Sequence, residues 1–220
     1  MIQAERLDGP SLVRDPARLA GVAKRFLDGQ VAVYPTETIY GIGGRADSPD
    51  VRRRVALAKG RAADKEMLLV AADIRAFDGL GLEFTAAARR LAERFWPGPL
   101  TLVVPGADGA PVGVRLSSHP FLRALAGHFA LPLISTSANL SGRPYDGAPG
   151  RIHSLLAQLV DFMVDYGELP PSPPSTVVRL GQGPVVEIVR EGVLSLAAIQ
   201  AVMAGTGAEV RGLRGAAEQT

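Results

Sequence analysis

An α/β fold in one domain is what this chain predicts, and three observations carry that reading. Short apolar runs of strand length alternate along the chain with longer segments whose apolar residues recur at helical spacing. No internal repeat or long linker interrupts the alternation. A length of 220 residues with 47% hydrophobic content supplies one sizeable core.

Arg14 to Leu27 reads as a first helix, followed by the buried strand VAVY at 31 to 34, which Pro35 stops. Ser48-Pro49-Asp50 opens the next helix with a capping hydroxyl, a first-turn proline and an acid at the positive end of the dipole. It runs to Lys59, with Gly60 as its stop. MLLVAA (67 to 72) is a strand, and Thr85 to Phe95 is a helix with Ala88, Leu91, Ala92 and Phe95 on one face. WPGP then turns into the strand LTLVV (100 to 104). A strand at 112 to 117, a helix from Pro120 to Phe129 and a strand at 132 to 136 lead into the loop SANLSGRPYDG. A helix at 151 to 159 and the stretch DFMVDYG come next, and PPSPPSTVVRL predicts an exposed, extended crossing. Strands at 176 to 180 and 185 to 190 and a helix from Ser195 to Ala204 complete a domain covering 1 to 205. The small, polar residues 206 to 220 predict a flexible tail.

Composition removes several chemistries. The chain has no cysteine, so disulfides, thiolate metal sites and thiol nucleophiles are excluded. No stretch approaches the roughly 20 apolar residues of a membrane span, and Glu5, Arg6 and Asp8 stand where a signal peptide needs an apolar core. The expected location is cytoplasmic, with no membrane partner. A net charge of +2 permits anionic partners without demanding them. His119, His128 and His153 lack metal-ligand spacing, no G-x-S-x-G elbow is present, and no metal site of the protein's own is expected.

Three constellations remain. Arg52, Arg53, Arg54, Lys59, Arg61 and Lys65 put six cations within fourteen residues. The three adjacent arginines read as a solvated helix face, because neighbours on a helix point in different directions. Lys59 and Arg61 flank Gly60 at the helix end, where two cations can converge on one anion or simply complement the dipole. The second constellation is STSANLSG, 135 to 142, a hydroxyl-rich loop after an apolar strand, the usual ligand position in an open α/β sheet. Ser135, Ser137 and Asn139 alternate and could face one ligand, or they could serve as turn and cap residues. The third is YPTETIYG, 34 to 41, whose continuation imitates a dinucleotide fingerprint through Gly41, Gly43 and Ala46. That fingerprint needs its first glycine to close a strand and its last to open a helix; here five residues separate Pro35 from Gly41 and the next helix starts only near Ser48. A phosphate-binding P-loop is absent as well.

Taken together, VAVYPTETIYGIGG, AKGRAADKEMLLV, FWPGPLTLVV, VGVRLSSHP and LISTSANLSGRP, in that order and spacing, resemble the YrdC-domain family of threonylcarbamoyl-AMP synthases over about residues 10 to 200. The signature lies in Lys59-x-Arg61 and Ser137-x-Asn139, supported by PTET and WPGPLT. The length resembles that of the short bacterial form. The resemblance implies a twisted, mostly mixed sheet flanked by helices around a basic concave cavity. It implies a reaction of L-threonine, bicarbonate and ATP to threonylcarbamoyl-adenylate and pyrophosphate, with Mg²⁺ accompanying ATP. Partner proteins would then transfer the product's acyl group to adenosine 37 of tRNAs. Such a step needs positioning and cationic stabilisation and no protein nucleophile.

By the same resemblance Lys59 and Arg61 are the catalytic cations holding the triphosphate, and Lys65 extends their cradle. Ser137, Asn139, Tyr145 and Arg190 complete the ATP site. Arg115 clamps the threonine carboxylate bidentately, with Thr38 and Ser135 lining the remainder. Glu37 is left between structural anchor and acid–base helper, and the anchor is favoured because the proposed chemistry requires no strong base. The chain departs from the pattern at Ala62, where many members have proline, at Val70, where some longer members place a threonine-contacting histidine, and at Pro111, which replaces a hydroxyl residue. Two other readings follow from the same resemblance. One is a binding module for double-stranded RNA or tRNA, which needs basic residues spread over a wide face. The other is a carbamoyl-handling module of the hydrogenase-maturation kind, although its acylphosphatase and zinc-finger segments are missing here.

Overall fold

The computed structural model describes residues 4–60, 67–140, 145, 147–181 and 183–212. Among them are strands β1 (Glu5–Asp8), β2 (Ala32–Pro35), β3 (Tyr40–Arg45), β4 (Leu68–Ala71), β5 (Leu100–Pro105), β6 (Pro111–Leu116), β7 (Leu133–Ser137), β8 (Phe162–Asp165), β9 (Thr176–Leu180), β10 (Val185–Arg190) and β11 (Glu209–Arg211). The helices are α1 (Gly9–Val13), α2 (Pro16–Leu27), α3 (Pro49–Lys59), α4 (Ala86–Phe95), α5 (Pro120–Leu125), α6 (Pro149–Leu156) and α7 (Leu196–Met203), with a 3-10 turn at Ile74–Phe77. All strands join one mixed sheet in the order β1-β8-β2-β3-β7-β4-β6-β5-β9-β10-β11.

Strand alternation sorts the side chains between two faces. On one face Ile42, Leu69, Leu102, Val114, Ile134, Val178 and Ile188 pack with Val55, Leu91, Leu156 and Met203 from α3, α4, α6 and α7. On the other, Leu12, Phe26, Phe121 and Leu125 from α1, α2 and α5 cover Ala32, Tyr34, Val70, Leu133 and Phe162. Phe26 anchors this second core, 5.3 Å from the Phe162 ring and 6.2 Å from Tyr34 in edge-on contacts. The residues that alternate with the first core, among them Thr101, Val103, Gly113, Arg115, Ser135 and Val177, instead line a cavity. The helices therefore leave part of the second face open, and the candidate site lies there.

Local signals set the element that carries Lys59. Ser48 Oγ accepts from the Val51 N–H at 3.3 Å, Pro49 occupies the first turn, and Gly60 ends α3 in the left-handed region at φ 63°. The adjacent arginines are held at the surface: Arg53 pairs with Asp50, and Arg54 with Asp161 at 2.8 Å.

The structure corrects several boundaries. Pro35 is itself the last residue of β2, paired with Tyr40, so residues 36–39 form the tip of the β2–β3 hairpin. The helix expected from Arg14 begins instead at Pro16, where Asp15 caps α2 through the Ala17 and Arg18 N–H groups, and the short α1 precedes it. DFMVDYG contains β8, buried between β1 and β2. The expected tail from 206 begins inside the fold, because β11 adds in parallel to β10 with Val210 opposite Val186. Residues 213–220 lie outside the described residues. Among the described residues, no helix is long and apolar enough to cross a membrane.

The glycine cluster is a strand for a packing reason. A Cβ on Gly43 would stand 1.7 Å from the Ile134 carbonyl oxygen, and one on Gly44 would stand 2.7 Å from that of Gln30. Replacing Gly43 by alanine is therefore expected to cost about 4 kcal/mol or more in denaturant unfolding. Gly21, inside α2 with nothing within 4 Å of its virtual Cβ, should instead gain about 1 kcal/mol on the same change.

Candidate active site

The open face holds a cavity of about 260 Å³, lined by Thr36, Thr38, Arg115, Ser135, Ser137 and Arg190 among others. Its walls come from the hairpin tip, the ends of β7 and β10, and the middle of β5 and β6. Among the described residues, no aspartate or glutamate lines it. Two guanidiniums thus face one hollow, an arrangement suited to an anion.

Arg115 is 4% exposed and held from behind by the hairpin tip. Its Nη2 lies 2.8 Å from Glu37 Oε1, its Nε donates to the same oxygen at 3.2 Å, and Nη2 also donates to Thr38 Oγ1 at 3.0 Å. The second Glu37 oxygen accepts from Ser117 Oγ at 2.5 Å. Both carboxylate oxygens are thereby engaged, which places Glu37 as an anchor for Arg115. Ser117 Oγ in turn accepts the His119 N–H at 3.2 Å. Burial pulls His119 down to about 4 while nearby Glu37 opposes the shift. Its Nδ1 accepts the Phe121 N–H at 3.2 Å, so the neutral ring carries its proton on Nε2.

Arg190 approaches from β10. Its Nε and Nη2 donate to the Ser175 carbonyl at 3.1 and 2.9 Å, and Nη2 also reaches Ser175 Oγ at 3.2 Å. Burial, and then the Arg115 charge, hold its pKa below the ordinary arginine value. Among the described residues, no carboxylate forms an ion pair with it.

Lys59, 4% exposed, reaches the rim from the end of α3. Its Nζ donates to the Ser137 carbonyl at 2.6 Å, Asn139 Oδ1 at 2.8 Å and Ser137 Oγ at 3.3 Å, and it also contacts the Asn139 carbonyl. Ser137 Oγ donates to Asn139 Oδ1 at 2.6 Å. Seventy-eight residues of sequence separate Lys59 from Ser137, yet one ammonium ties α3 to the loop after β7. Ser135 sits deeper on β7, opposite Gly43, and a Cβ on Gly41 would come within 2.8 Å of its hydroxyl. Tyr145 closes the rim, its hydroxyl accepting the Tyr40 N–H at 2.8 Å.

The structure thus gathers Thr38, Lys59, Arg115, Ser135, Ser137, Asn139, Tyr145 and Arg190 at or beside one cavity. Arg61 and Lys65 lie outside the described residues. Sequence reasoning passed over Thr36, Thr101, Ser117 and Ser175, all nearly fully buried. Thr101 and Ser175 join through their hydroxyls at 2.9 Å and so brace Arg190. The one available signal was polar residues inside otherwise apolar strands, as Thr101 is within LTLVV.

The Sua5/YciO/YrdC family model, described as telomere recombination, matches residues 24–192. A threonylcarbamoyl-AMP synthase of Pyrococcus abyssi (strain GE5 / Orsay) is 33% identical over 192 residues, covering 83% of this chain but only 56% of the relative. The chain therefore spans little more than half the length of that relative. A threonylcarbamoyl-AMP synthase of Vibrio vulnificus (strain YJ016) is 36% identical over 165 residues, 70% of this chain and 88% of the relative. A crystal structure of P. abyssi Sua5 complexed with L-threonine superposes with a TM-score of 0.80 at 28% identity, covering 96% of this chain and 62% of that one.

Proposed function

The chain belongs to the Sua5/YciO/YrdC family, and from that premise we propose that it is a nucleotidyltransferase making threonylcarbamoyl-AMP and pyrophosphate from L-threonine, bicarbonate and ATP. The observation that carries the reading is the convergence of Arg115 and Arg190 on a cavity whose described lining has no carboxylate, with Lys59 at its rim. An amino-acid carboxylate and a triphosphate are both anionic, and together they fit such a lining.

In this reading Arg115 binds the threonine carboxylate, with Thr38 and Ser135 beside it. Lys59, Arg61 and Lys65 hold the triphosphate, and Ser137, Asn139, Tyr145 and Arg190 bind the rest of ATP. The threonine amine and bicarbonate combine to the carbamate with loss of water; a carbamate oxygen then bonds to the α-phosphorus as the bond to the α,β-bridging oxygen breaks, and negative charge grows on the departing pyrophosphate. Lys59 and Arg61 stabilise that charge, the kind of contact that contributes about 2 to 4 kcal/mol to a transition state. Mg²⁺ would accompany ATP and offset phosphate charge, and Glu37, already engaged by Arg115 and Ser117, would not hold it. The product would pass in the cytoplasm to transfer proteins acting on tRNA. The reading as a double-stranded RNA module is not favoured, because Arg53 and Arg54 pair with acids while Arg115 and Arg190 face a hollow.

The test is pyrophosphate release with each substrate omitted in turn. Release is expected only when ATP, bicarbonate and L-threonine are all present, and Arg61→Ala should abolish it without altering the circular dichroism spectrum. Release indifferent to threonine would remove the reading.

A further inference from the structure

We propose that Gly113 belongs to the amino-acid site: β6 is bare at this position so that the substrate held by Arg115 can lie against the strand backbone. The proposal rests on the reaction just described. It follows from asking what each glycine on the cavity face is for.

Glycine weakens the interior of a strand, because it brings no side chain to pack and loses more backbone freedom on folding than any other residue. A glycine there calls for a reason: an unusual φ, a crowded neighbour, or something that must approach the backbone closely. Gly41 and Gly43, on the neighbouring strand β3, have the second reason. A Cβ on Gly41 would stand 2.8 Å from Ser135 Oγ, and one on Gly43 would stand 1.7 Å from the Ile134 carbonyl oxygen.

Gly113 has neither the first reason nor the second. It lies inside β6, and its φ is outside the left-handed region. The atoms nearest to a Cβ there would be Leu68 Cβ at 3.5 Å, Leu68 Cα at 3.7 Å and Thr101 Cγ2 at 3.8 Å, all ordinary van der Waals distances. The fold itself would accept a methyl group. The third reason remains, and the position supports it. Gly113 lines the same cavity as Arg115 and stands two residues from it on one strand, hence on the same face and about 7 Å away. That distance is within reach of an amino acid whose carboxylate sits on the Arg115 guanidinium. Val103, paired with Gly113 on β5, and Leu68, beside it on β4, both carry side chains into the lining. Between them the bare backbone leaves a gap about 10 Å across, two strand spacings wide.

The experiment pairs thermal melts with steady-state kinetics on Gly113→Ala and Gly113→Val. Both residues suit a strand better than glycine, so the melting temperature should hold or rise by about 1 to 4 °C. In the same proteins kcat/KM for L-threonine should fall on the order of 10-fold in Gly113→Ala and 100-fold in Gly113→Val, with the KM for ATP within about twofold of wild type. Wild-type kinetics in Gly113→Ala would overturn the inference, and so would a KM for ATP raised as far as that for threonine. A melting temperature lowered by several degrees in Gly113→Ala, or failure of that variant to fold, would overturn it as well, because the glycine would then serve the fold. Gly113→Ala decides the matter even if valine proves too large. No threonine-dependent product in the wild type would overturn the reaction, and the inference with it.

Discussion

Lys59→Met is expected to lower kcat/KM for threonine-dependent adenylate formation by about 10² to 10³-fold. Methionine keeps the buried aliphatic stem and removes only the ammonium, so the lost term is the charge. The same change strips a donor from the Ser137 carbonyl and from Asn139 Oδ1. Losing hydrogen bonds from a charged donor costs about 1 to 3 kcal/mol, so a lowered melting temperature should accompany the loss. Steady-state kinetics beside thermal melts separate the two effects. Lys59→Arg should recover stability poorly and activity hardly at all, because a planar fork cannot take the place of a compact ammonium among closely set oxygens. Activity within a few-fold of wild type in a folded Lys59→Met protein would remove this residue from the proposed mechanism.

Arg115→Gln should have an effect of similar size, with a different signature. It removes the proposed carboxylate clamp and leaves Glu37, whose side chain is 16% exposed, without its cation. Breaking a buried ion pair from one side costs about 3 to 5 kcal/mol. Adding Glu37→Gln to Arg115→Gln removes the stranded charge, so stability should return toward wild type while activity stays lost. Glu37→Gln alone should chiefly raise the KM for threonine, because Arg115 then loses the partner that orients it. If the double variant regained activity together with stability, Arg115 would be a structural residue and the carboxylate would bind elsewhere. The comparison is a double-mutant cycle read by denaturant unfolding and by kinetics on the same four proteins.

Much of this architecture was legible in local chemistry. The Ser48 cap and the Gly60 stop delimit α3 within the sequence, and with it the position of Lys59. Apolar runs such as LTLVV announce strands because both faces of the sheet are largely covered. What stayed illegible depends on contacts between distant segments. YGIGGR has poor strand propensity by itself and becomes β3 because the Ile134 and Gln30 carbonyls approach too closely for any side chain. ERLD carries three charged residues in four, and it is a strand because β8 offers it an edge. The end of the domain was misjudged for the same reason: β11 is three residues long and depends on its register with β10.

At the site, Arg115 and Thr38 could be named from the motif pattern, but their hydrogen bond spans 77 residues of sequence. Glu37 shows the limit most clearly. A carboxylate in a motif leaves base and anchor both open, until Arg115 and Ser117 are seen to occupy both its oxygens. Pro35 illustrates the opposite error, since a residue that lacks a donor can still end a strand within a hairpin, where Tyr40 pairs with it.

The most direct test of the central claim is mass spectrometry of the product formed from ¹³C-bicarbonate, ATP and L-threonine. The account predicts an adenylate that contains threonine and carries the heavy carbon, absent when threonine is omitted. AMP or ADP as the only nucleotide products, or an adenylate without the label, would contradict it.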